Sequence, residues 1–365
     1  MNIAPMRLDR AYQLHQAQYE AACLRVLRSG RYVLGEELSA FEAEFAAYIG
    51  SPYAVGLGTG LDALWIAFRL LGIGAGDEVI VQANAYIACV MGITINNATP
   101  VFVEPDEYYN MDTEKIEAAI TDKTKAILAV HLYGQASDME TILAVAQKHN
   151  LSVVEDCAQS HGAKQGERMM GTFGNVGCFS MYPSKMLGAF GEAGAIVTDA
   201  ETLAGDFRVF RNYGSEKRYY NKMIGTNSRL DELQAALLRV RLLHLDELIA
   251  ERERLCARYR DEITNAHIIL PKIRPGCSSV WHQFVVRSEE RERLIEHLAA
   301  KGVGSIIHYP VPPHLSEAYA YLGLRRGSFP LAEAYADTVL SLPLYNGMTE
   351  AEQTYTIEVI NDYNP

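Results

Sequence analysis

Lys185 has the clearest potential for covalent chemistry in this sequence. It lies in the segment CFSMYPSKMLGAFGEAGAIVTD, between two apolar strand-like runs and close to Gly188, Gly191 and Gly194. A lysine among small residues can approach a flat cofactor and lose its hydration, which lowers its pKa and frees the amine to form a Schiff base. A solvated surface lysine would have the same local sequence, so this assignment depends on other parts of the chain.

Asp156 is a second candidate, because it ends the apolar run of LSVVEDCAQSHGA. Open α/β sheets bind ligands at the carboxyl ends of their strands, where Glu155 and Asp156 are expected. A carboxylate at that edge can hold a protonated pyridine nitrogen, which makes pyridoxal phosphate an effective electron sink. An N-cap for a following helix is the alternative interpretation.

Two further segments could bind a planar, phosphorylated cofactor. In AVGLGTGLDALWIAFRL a strand turns into a helix, and the N–H groups of Gly60 and Leu61, with the Thr59 hydroxyl, could hold a phosphate. In VQANAYIACV, Tyr86 follows a strand and could cover the face of a ring. A turn without a ligand and a core tyrosine are the alternatives.

Short apolar runs alternate with helical segments between Tyr53 and Thr198, which predicts an α/β domain with a mostly parallel sheet. The predicted strands are Tyr53–Leu57, Glu78–Gln82, Pro100–Val103, Lys125–His131, Leu151–Glu155, Val176–Ser180 and Gly194–Thr198. The predicted helices are Leu61–Leu71, Ala85–Asn96, Asp112–Ile120 and Asp138–Asn150.

The second part of the chain has a different pattern. The stretch SRLDELQAALLRVRLLHLDELIAERERLCARYRDEI predicts one amphipathic helix, roughly 45 Å long, that links two domains. Strand-like VWHQFVV and VGSIIHY, helical ERERLIEHLAAKG and a last helix near Thr349–Ile360 predict a small α+β domain. We therefore expect a large domain at residues 1–245 and a small one at residues 246–365.

Composition excludes several classes of protein. The 365 residues are 49% hydrophobic and 21% charged, which is typical of a globular chain. The net charge of −12 repels the phosphates of nucleic acid and of anionic lipid, so neither is expected as a partner. Six scattered cysteines without a C-x-x-C pair indicate neither a metal site nor a disulfide framework, and no apolar run has the length of a signal peptide or a membrane span. We expect an unprocessed cytoplasmic protein.

Taken together, these segments resemble the DegT/DnrJ/StrS family of sugar aminotransferases, which are pyridoxal-phosphate enzymes of fold type I. The similarity extends from RSGRYVLGEELSAFEAEFAAYIG through GTGLDAL, EDCAQSHGA, FSMYPSKMLGAFGEAGA, RNYGS and NSRLDELQAA to SLPLYNGMT. It implies a large, mostly parallel seven-stranded sheet domain with a smaller α+β C-terminal domain. It also implies pyridoxal 5′-phosphate as cofactor, pyridoxamine 5′-phosphate as its second form, and a homodimer that shares each active site.

The resemblance assigns roles to individual residues. Lys185 would form the Schiff base, Asp156 would pair with the pyridine nitrogen, and Tyr86 would stack on the ring. Gln159 would lie near the phenolic oxygen of the ring. The phosphate ligands would be Gly60, Leu61 and Ser180, joined by Asn227 of the second subunit.

The elements GLDAL, YPSK, GEAGA and IIHYPVPPHLSEAY resemble enzymes that aminate C3 of a nucleotide-linked 3-keto-6-deoxyhexose, with glutamate as donor. By this resemblance Tyr182, His308 and Tyr309 would line the sugar pocket, and Lys217 or Arg218 of the second subunit would reach the diphosphate. Arg229 would bind the glutamate carboxylate or form an ion pair between subunits. Thr226, Glu192 and Asn346 depart from the common family pattern, which leaves the hexose open.

Other functions compete with this interpretation. Within the family, amination at C4 or of a UDP-linked sugar is an alternative to C3 amination of a dTDP-linked sugar. A sugar dehydratase of the same fold is disfavoured, because those relatives carry histidine where Lys185 stands. A regulatory homologue without turnover is disfavoured by Lys185 together with Asp156, and a half-reaction with glutamate would separate both from an aminotransferase.

Overall fold

The computed structural model describes residues 1–365, and a seven-stranded sheet forms its centre. The strands are β1 (Tyr53–Leu57), β2 (Glu78–Gln82), β3 (Thr99–Val103), β4 (Thr124–Val130), β5 (Ser152–Asp156), β6 (Val176–Ser180) and β7 (Gly194–Thr198). Their spatial order is β1-β7-β6-β5-β4-β2-β3, and only β7 runs antiparallel to its neighbours. The prediction of a mostly parallel α/β sheet is confirmed, with every strand within one residue of its predicted bounds.

Helices and short ribbons complete the fold. The α-helices are Leu8–Leu14, Gln16–Ser29, Glu36–Ile49, Gly60–Leu70, Ile87–Thr94, Met139–His149, Glu201–Phe210, Glu232–Leu243, Leu245–Glu262, Arg291–Ala300, Pro330–Thr338 and Glu350–Asn361. Two-stranded ribbons pair Lys164–Gln165 with Arg168–Met169, Ser215–Lys217 with Tyr220–Asn221, and Phe284–Arg287 with Val339–Leu342. The 3₁₀ turns are Thr113–Lys115, Glu117–Ala119, Leu132–Gly134, Pro313–Leu315 and Glu317–Leu322. No helix combines the length and the apolar composition that crossing a membrane requires.

The strands are apolar along their length because both faces of the sheet are covered. Successive residues of a strand point to opposite faces. Accordingly Ile80 of β2 packs in one core with Val153 of β5, whereas Val79 and Val81 of β2 pack in the other with Val154. The carboxyl ends of the parallel strands are therefore held on a rigid two-sided support.

A third apolar core lies in the C-terminal part of the chain, around the ribbon of Phe284–Arg287 and Val339–Leu342. Ile3 is buried in this core and pairs with Val303, so the first residues pack against the C-terminal part rather than against the large sheet. The proposed boundary between residues 245 and 246 stays a prediction.

Three predicted elements are wrong. The single long helix is two helices that meet at His244, because the backbone of His244 is not helical (φ −108°, ψ 6°); its ring stacks on that of His15 with centroids 3.5 Å apart. The segment Asp112–Ile120 forms 3₁₀ turns, since a single buried apolar side chain, Ile116, gives an α-helix there little support. The predicted strand VGSIIHY makes only isolated bridges, because its residues pair with two different partners: Val303 bridges to Ile3 and Ile306 bridges to Ser341.

The helix Glu232–Leu243 organises the structure around the sheet. The buried Glu232 carboxylate accepts N–H groups from Gly35 (2.7 Å), Glu37 (2.9 Å) and Leu38 (3.0 Å). These N–H groups lie at the start of the helix Glu36–Ile49, where a negative charge is favourable. A side chain almost two hundred positions away along the chain thus caps this helix.

We expect Glu232→Gln to destabilise the fold by about 1–3 kcal/mol, because an uncharged amide replaces a buried acceptor of three N–H groups. Urea unfolding of the two proteins measures the difference. Glu358→Gln, an exposed change on the last helix, is the control and should stay within about 0.5 kcal/mol of the parent. A Glu232→Gln protein as stable as the parent would contradict the proposed cap.

Candidate active site

A cavity of about 720 Å³ lies at the carboxyl ends of β1, β2, β4, β5 and β6. Ten of the fourteen predicted site residues line it. They are Gly60, Leu61, Tyr86, Asp156, Gln159, Ser180, Tyr182, Lys185, His308 and Tyr309. The edge of an open α/β sheet is where ligands are expected, so position and lining both make this cavity the candidate active site.

Lys185 lies in the loop between β6 and β7. Burial of its amine lowers the lysine pKa to about 8, and the charge of Asp156 opposes part of this shift. An amine with this pKa is unprotonated in about one molecule in ten at pH 7, far more often than an ordinary lysine, and the unprotonated form is the one that attacks a carbonyl. The local environment therefore favours covalent chemistry over a surface role.

The helix Glu232–Leu243 holds the loop that carries Lys185. The buried Arg241 donates to the carbonyl of Met186 (2.8 Å) and more weakly to that of Lys185 (3.4 Å). Gln234 accepts the N–H of Phe190 at 2.8 Å. A Cβ at Gly188 would lie 2.5 Å from the Pro183 carbonyl, so only glycine allows the chain to turn this tightly.

The two adjacent carboxylates at the end of β5 have separate functions. Because successive strand residues face opposite sides, Glu155 points away from the cavity and Asp156 points into it. Glu155 accepts N–H groups from Gly171, Phe173 and Gly174, each at 2.7 Å, and contacts His131 at 3.1 Å. Because Glu155 already accepts these hydrogen bonds within the protein, Asp156 is the carboxylate that can accept one from a ligand.

Asp156 is nearly buried and makes two contacts within the protein. Its Oδ1 accepts the Ala158 N–H at 3.0 Å, and its Oδ2 accepts the Cys89 thiol at 2.9 Å. No helix begins after Asp156, so the alternative of a helix cap does not apply. An ionised carboxylate has about four acceptor positions, so capacity remains for an N–H donor in the cavity.

The N-terminus of the helix Gly60–Leu70 forms one end of the cavity. Thr59 caps this helix by accepting the Asp62 N–H at 3.0 Å, while the first N–H groups, at Gly60 and Leu61, have no acceptor within the helix. A Cβ at Gly60 would lie 2.3 Å from the Cβ of Ser180. Glycine thus allows the helix end and the serine hydroxyl to converge, and this donor set suits a phosphate.

Two tyrosines and a glutamine also line the cavity. Tyr86 is 45% exposed, so it is not a core tyrosine, and its ring lies 4.8 Å from that of Tyr309. Gln159 donates to the Tyr309 hydroxyl at 3.1 Å and accepts the Tyr133 N–H. The wall therefore offers a planar aromatic surface next to fixed polar groups.

Other polar residues of the lining include Glu192, His308, His282 and Gln283. His308 contacts Ser341 through Nδ1 at 2.8 Å, and burial lowers the His308 pKa to about 4. His282 and Gln283 also line the cavity, and burial shifts the His282 pKa well below its ordinary value. Both residues are missing from the predicted site, although two consecutive polar residues inside the strand-like VWHQFVV were a signal for them.

Four predicted residues lie outside the cavity. Lys217 and Arg218 are on the exposed ribbon around Ser215–Lys217 and Tyr220–Asn221, and the exposed Asn227 follows it. Arg229 donates to the Asn212 side chain at 3.0 Å. The sequence prediction gave Lys217, Arg218 and Asn227 to a second subunit, and this remains a prediction.

The lining residues fit pyridoxal 5′-phosphate. Lys185 offers a buried amine of lowered pKa, Asp156 offers acceptor capacity for a ring N–H, and Tyr86 offers an aromatic face. Gly60, Leu61 and Ser180 supply donors where the phosphate would bind. Each chemical part of the cofactor has a matching group in one cavity.

Comparison with known proteins agrees with this fit. The model of the DegT/DnrJ/EryC1/StrS aminotransferase family matches residues 14–361, and the chain belongs to this family. The family depends on pyridoxal phosphate, and related structures contain the cofactor in its pyridoxal and pyridoxamine forms. The protein is therefore a pyridoxal-phosphate-dependent aminotransferase, as the sequence motifs predicted.

Individual relatives are similar over nearly their full length. The dTDP-3-amino-3,4,6-trideoxy-alpha-D-glucose transaminase of Streptomyces venezuelae is 47% identical over 98% of this chain and 94% of its own. The dTDP-3-amino-3,6-dideoxy-alpha-D-galactopyranose transaminase of Aneurinibacillus thermoaerophilus is 47% identical over 96% of both chains. The crystal structure of S. venezuelae DesV in complex with a ketimine intermediate is 46% identical, with a TM-score of 0.97 over 99% of this chain and 98% of that one.

The lowered pKa of Lys185 predicts its reactivity in the cofactor-free protein. Only the neutral amine reacts with acetic anhydride, so the rate of acetylation should rise with pH and level off above about 8, whereas an ordinary lysine titrates near about 10.4. Mass spectrometry of peptides after brief labelling gives the rate for each lysine, and exposed lysines of the same sample are the control. A rate for Lys185 that still rises tenfold per pH unit above 9 would show that its amine is solvated.

Proposed function

We propose that the protein transfers the amino group of L-glutamate to the C3 keto group of a dTDP-linked 3-keto-6-deoxyhexose, in the biosynthesis of an aminodeoxysugar. The observation that carries this proposal is the cavity, which combines Lys185 and Asp156 with the predicted sugar contacts Tyr182, His308 and Tyr309. Both relatives described above are named for dTDP-linked 3-aminosugars, which supports the nucleotide and the position. Relatives named for UDP-linked sugars make those the second candidate.

The residues of the cavity divide the work of binding and proton transfer. Bound pyridoxal phosphate would supply the carbonyl that receives the amino group and a ring that accepts electrons. Asp156 would hold the ring nitrogen in its protonated form, and Tyr86 would fix the plane of the ring. The Lys185 amine would take the proton from Cα of glutamate and later deliver a proton to C3 of the sugar.

The neutral imidazole of His308 would donate or accept a hydrogen bond without adding charge. Together with His282 and Gln283, it gives the sugar side of the cavity hydroxyl-binding groups that carry no net charge. This suits a hexose whose charge lies entirely in its distant diphosphate.

We place the reaction in the cytoplasm, since the six cysteines are free, as in a reducing compartment.

We also propose a homodimer in which residues 212–227, a segment that contains the ribbon of Ser215–Lys217 and Tyr220–Asn221, enter the active site of the partner. Tyr219 (82% exposed), Tyr220 (68%) and Ile224 (96%) place several large apolar side chains close together in sequence on this exposed segment, where a partner could cover them. Lys217 and Arg218 next to them would bring positive charge to the substrate diphosphate. The cavity itself contains one cationic side chain, Lys185, so a diphosphate needs charge from elsewhere.

The reaction is tested with the purified holoenzyme. We expect glutamate to bleach the visible absorption of the lysine-bound cofactor and a dTDP-linked 3-keto-6-deoxyhexose to restore it, with 4-keto and UDP-linked sugars much less effective. Lys185→Ala should lack this absorption and lose about 10²–10⁴-fold or more in rate. Equal restoration by a 4-keto sugar would refute the C3 assignment, and no response to glutamate would refute the amino donor.

The shared site is tested by mixing two inactive proteins. In a dimer with two-fold symmetry, a Lys185→Ala subunit can lend its intact ribbon to the intact lysine of a Lys217→Ala/Arg218→Ala subunit. After subunit exchange at equal amounts, about a quarter of the wild-type activity should return. Exposed Lys301→Ala mixed with Lys185→Ala should keep about half of the wild-type activity with or without exchange, so it controls for losses on mixing, and native mass spectrometry confirms that mixed dimers have formed. Recovery no greater than the sum of the separate variants would show that each chain completes its own site.

A further inference from the structure

The Cys89 thiol makes the one side-chain contact to Asp156 within the protein. Its Sγ lies 2.9 Å from Oδ2 of Asp156, while Oδ1 is held by the backbone N–H of Ala158 at 3.0 Å. The two contacts engage both carboxylate oxygens and so fix the rotation of the group. Cys89 also lines the cavity, although it is absent from the predicted site residues.

Cys89 is placed by the same helix that places Tyr86. The helix Ile87–Thr94 begins directly after Tyr86, and the Cys89 N–H donates to the Tyr86 carbonyl at 3.0 Å. Residues three positions apart lie on the same side of a helix. One helical turn therefore fixes the positions of the Tyr86 ring and the Cys89 thiol relative to each other.

The thiol acts as a hydrogen-bond donor and not as a thiolate. Cys89 is only 2% exposed, and burial, with the adjacent charge of Asp156, raises its pKa well above the ordinary value. A neutral thiol is a weak donor, so it orients the carboxylate while withdrawing little of its charge. Asp156 thereby keeps its strength as an acceptor for a ring N–H.

We propose that Cys89 is a positioning residue that orients Asp156 toward the pyridine nitrogen of the cofactor. This inference rests on the proposed pairing of Asp156 with that nitrogen. It does not depend on which sugar is the substrate. Without the thiol, Oδ2 of this buried carboxylate would lose its only donor within the protein, and the Ala158 N–H would be the single hydrogen bond left to hold the group.

Equilibrium binding of pyridoxal phosphate to the cofactor-free protein tests the proposal, together with pH titration of the visible absorption of the holoenzyme. We expect Cys89→Ala to weaken binding by about three- to tenfold and to shift the titration midpoint. Cys89→Ser keeps the size and a donor, so it should bind within about twofold of the parent. Cys256→Ala, at a buried thiol of the C-terminal core, is the matched control and should change neither measurement.

A double-mutant cycle separates orientation from packing. In an Asp156→Asn background, Cys89→Ala should cause no further loss of binding, because the carboxylate that it orients is gone. The proposal is overturned if Cys89→Ser binds as weakly as Cys89→Ala, if Cys89→Ala binds like the parent, or if the two losses are additive. Failure of the sugar assignment would appear only in turnover, with these binding results unchanged.

Discussion

The desolvation of the Lys185 amine is the constraint on which the rest of the structure depends. Burial keeps the amine reactive by lowering its pKa, but a buried amine is stable only if the loop around it cannot relax toward water. Arg241 and Gln234 hold that loop through its backbone, and both lie on the helix Glu232–Leu243. The buried Glu232 joins this helix to another part of the chain. The reactivity of Lys185 is thus maintained by residues that lie outside the cavity: Arg241, Gln234 and Glu232.

Strand alternation gives the end of β5 two separate functions. Glu155 binds three N–H groups of residues 171–174 and so fixes the segment that leads into β6. Asp156, one position later, faces the cavity. A shift of one residue in this strand would exchange the two carboxylates. Register at β5, which the parallel pairing with β4 and β6 specifies, is therefore a requirement for the site as well as for the fold.

Local sequence was sufficient to predict the sheet, because apolar strands buried on both faces have a strong signal of their own. Local sequence was insufficient where contacts between distant parts of the chain determine the structure. The long helix is interrupted at His244, whose ring stacks on His15, more than two hundred positions away. The lining residues near Lys185, Asp156 and Tyr86 follow motifs that the sequence displays. The polar pair in VWHQFVV was a signal for His282, but only the fold shows that His282 and Cys89 reach the cavity.

The overall charge of −12 explains why the site is built from local donors. A negative protein repels a phosphorylated ligand at long range, and salt screens that repulsion beyond about 10 Å. Within the cavity, the N–H groups at Gly60 and Leu61 attract a phosphate without requiring a second charged side chain near Lys185. A fixed cation beside the lysine would lower its pKa further, whereas Asp156 opposes that shift. Positive charge for a diphosphate is thus best placed at the outer end of the substrate, and the exposed Lys217 and Arg218 would supply it there without disturbing the amine.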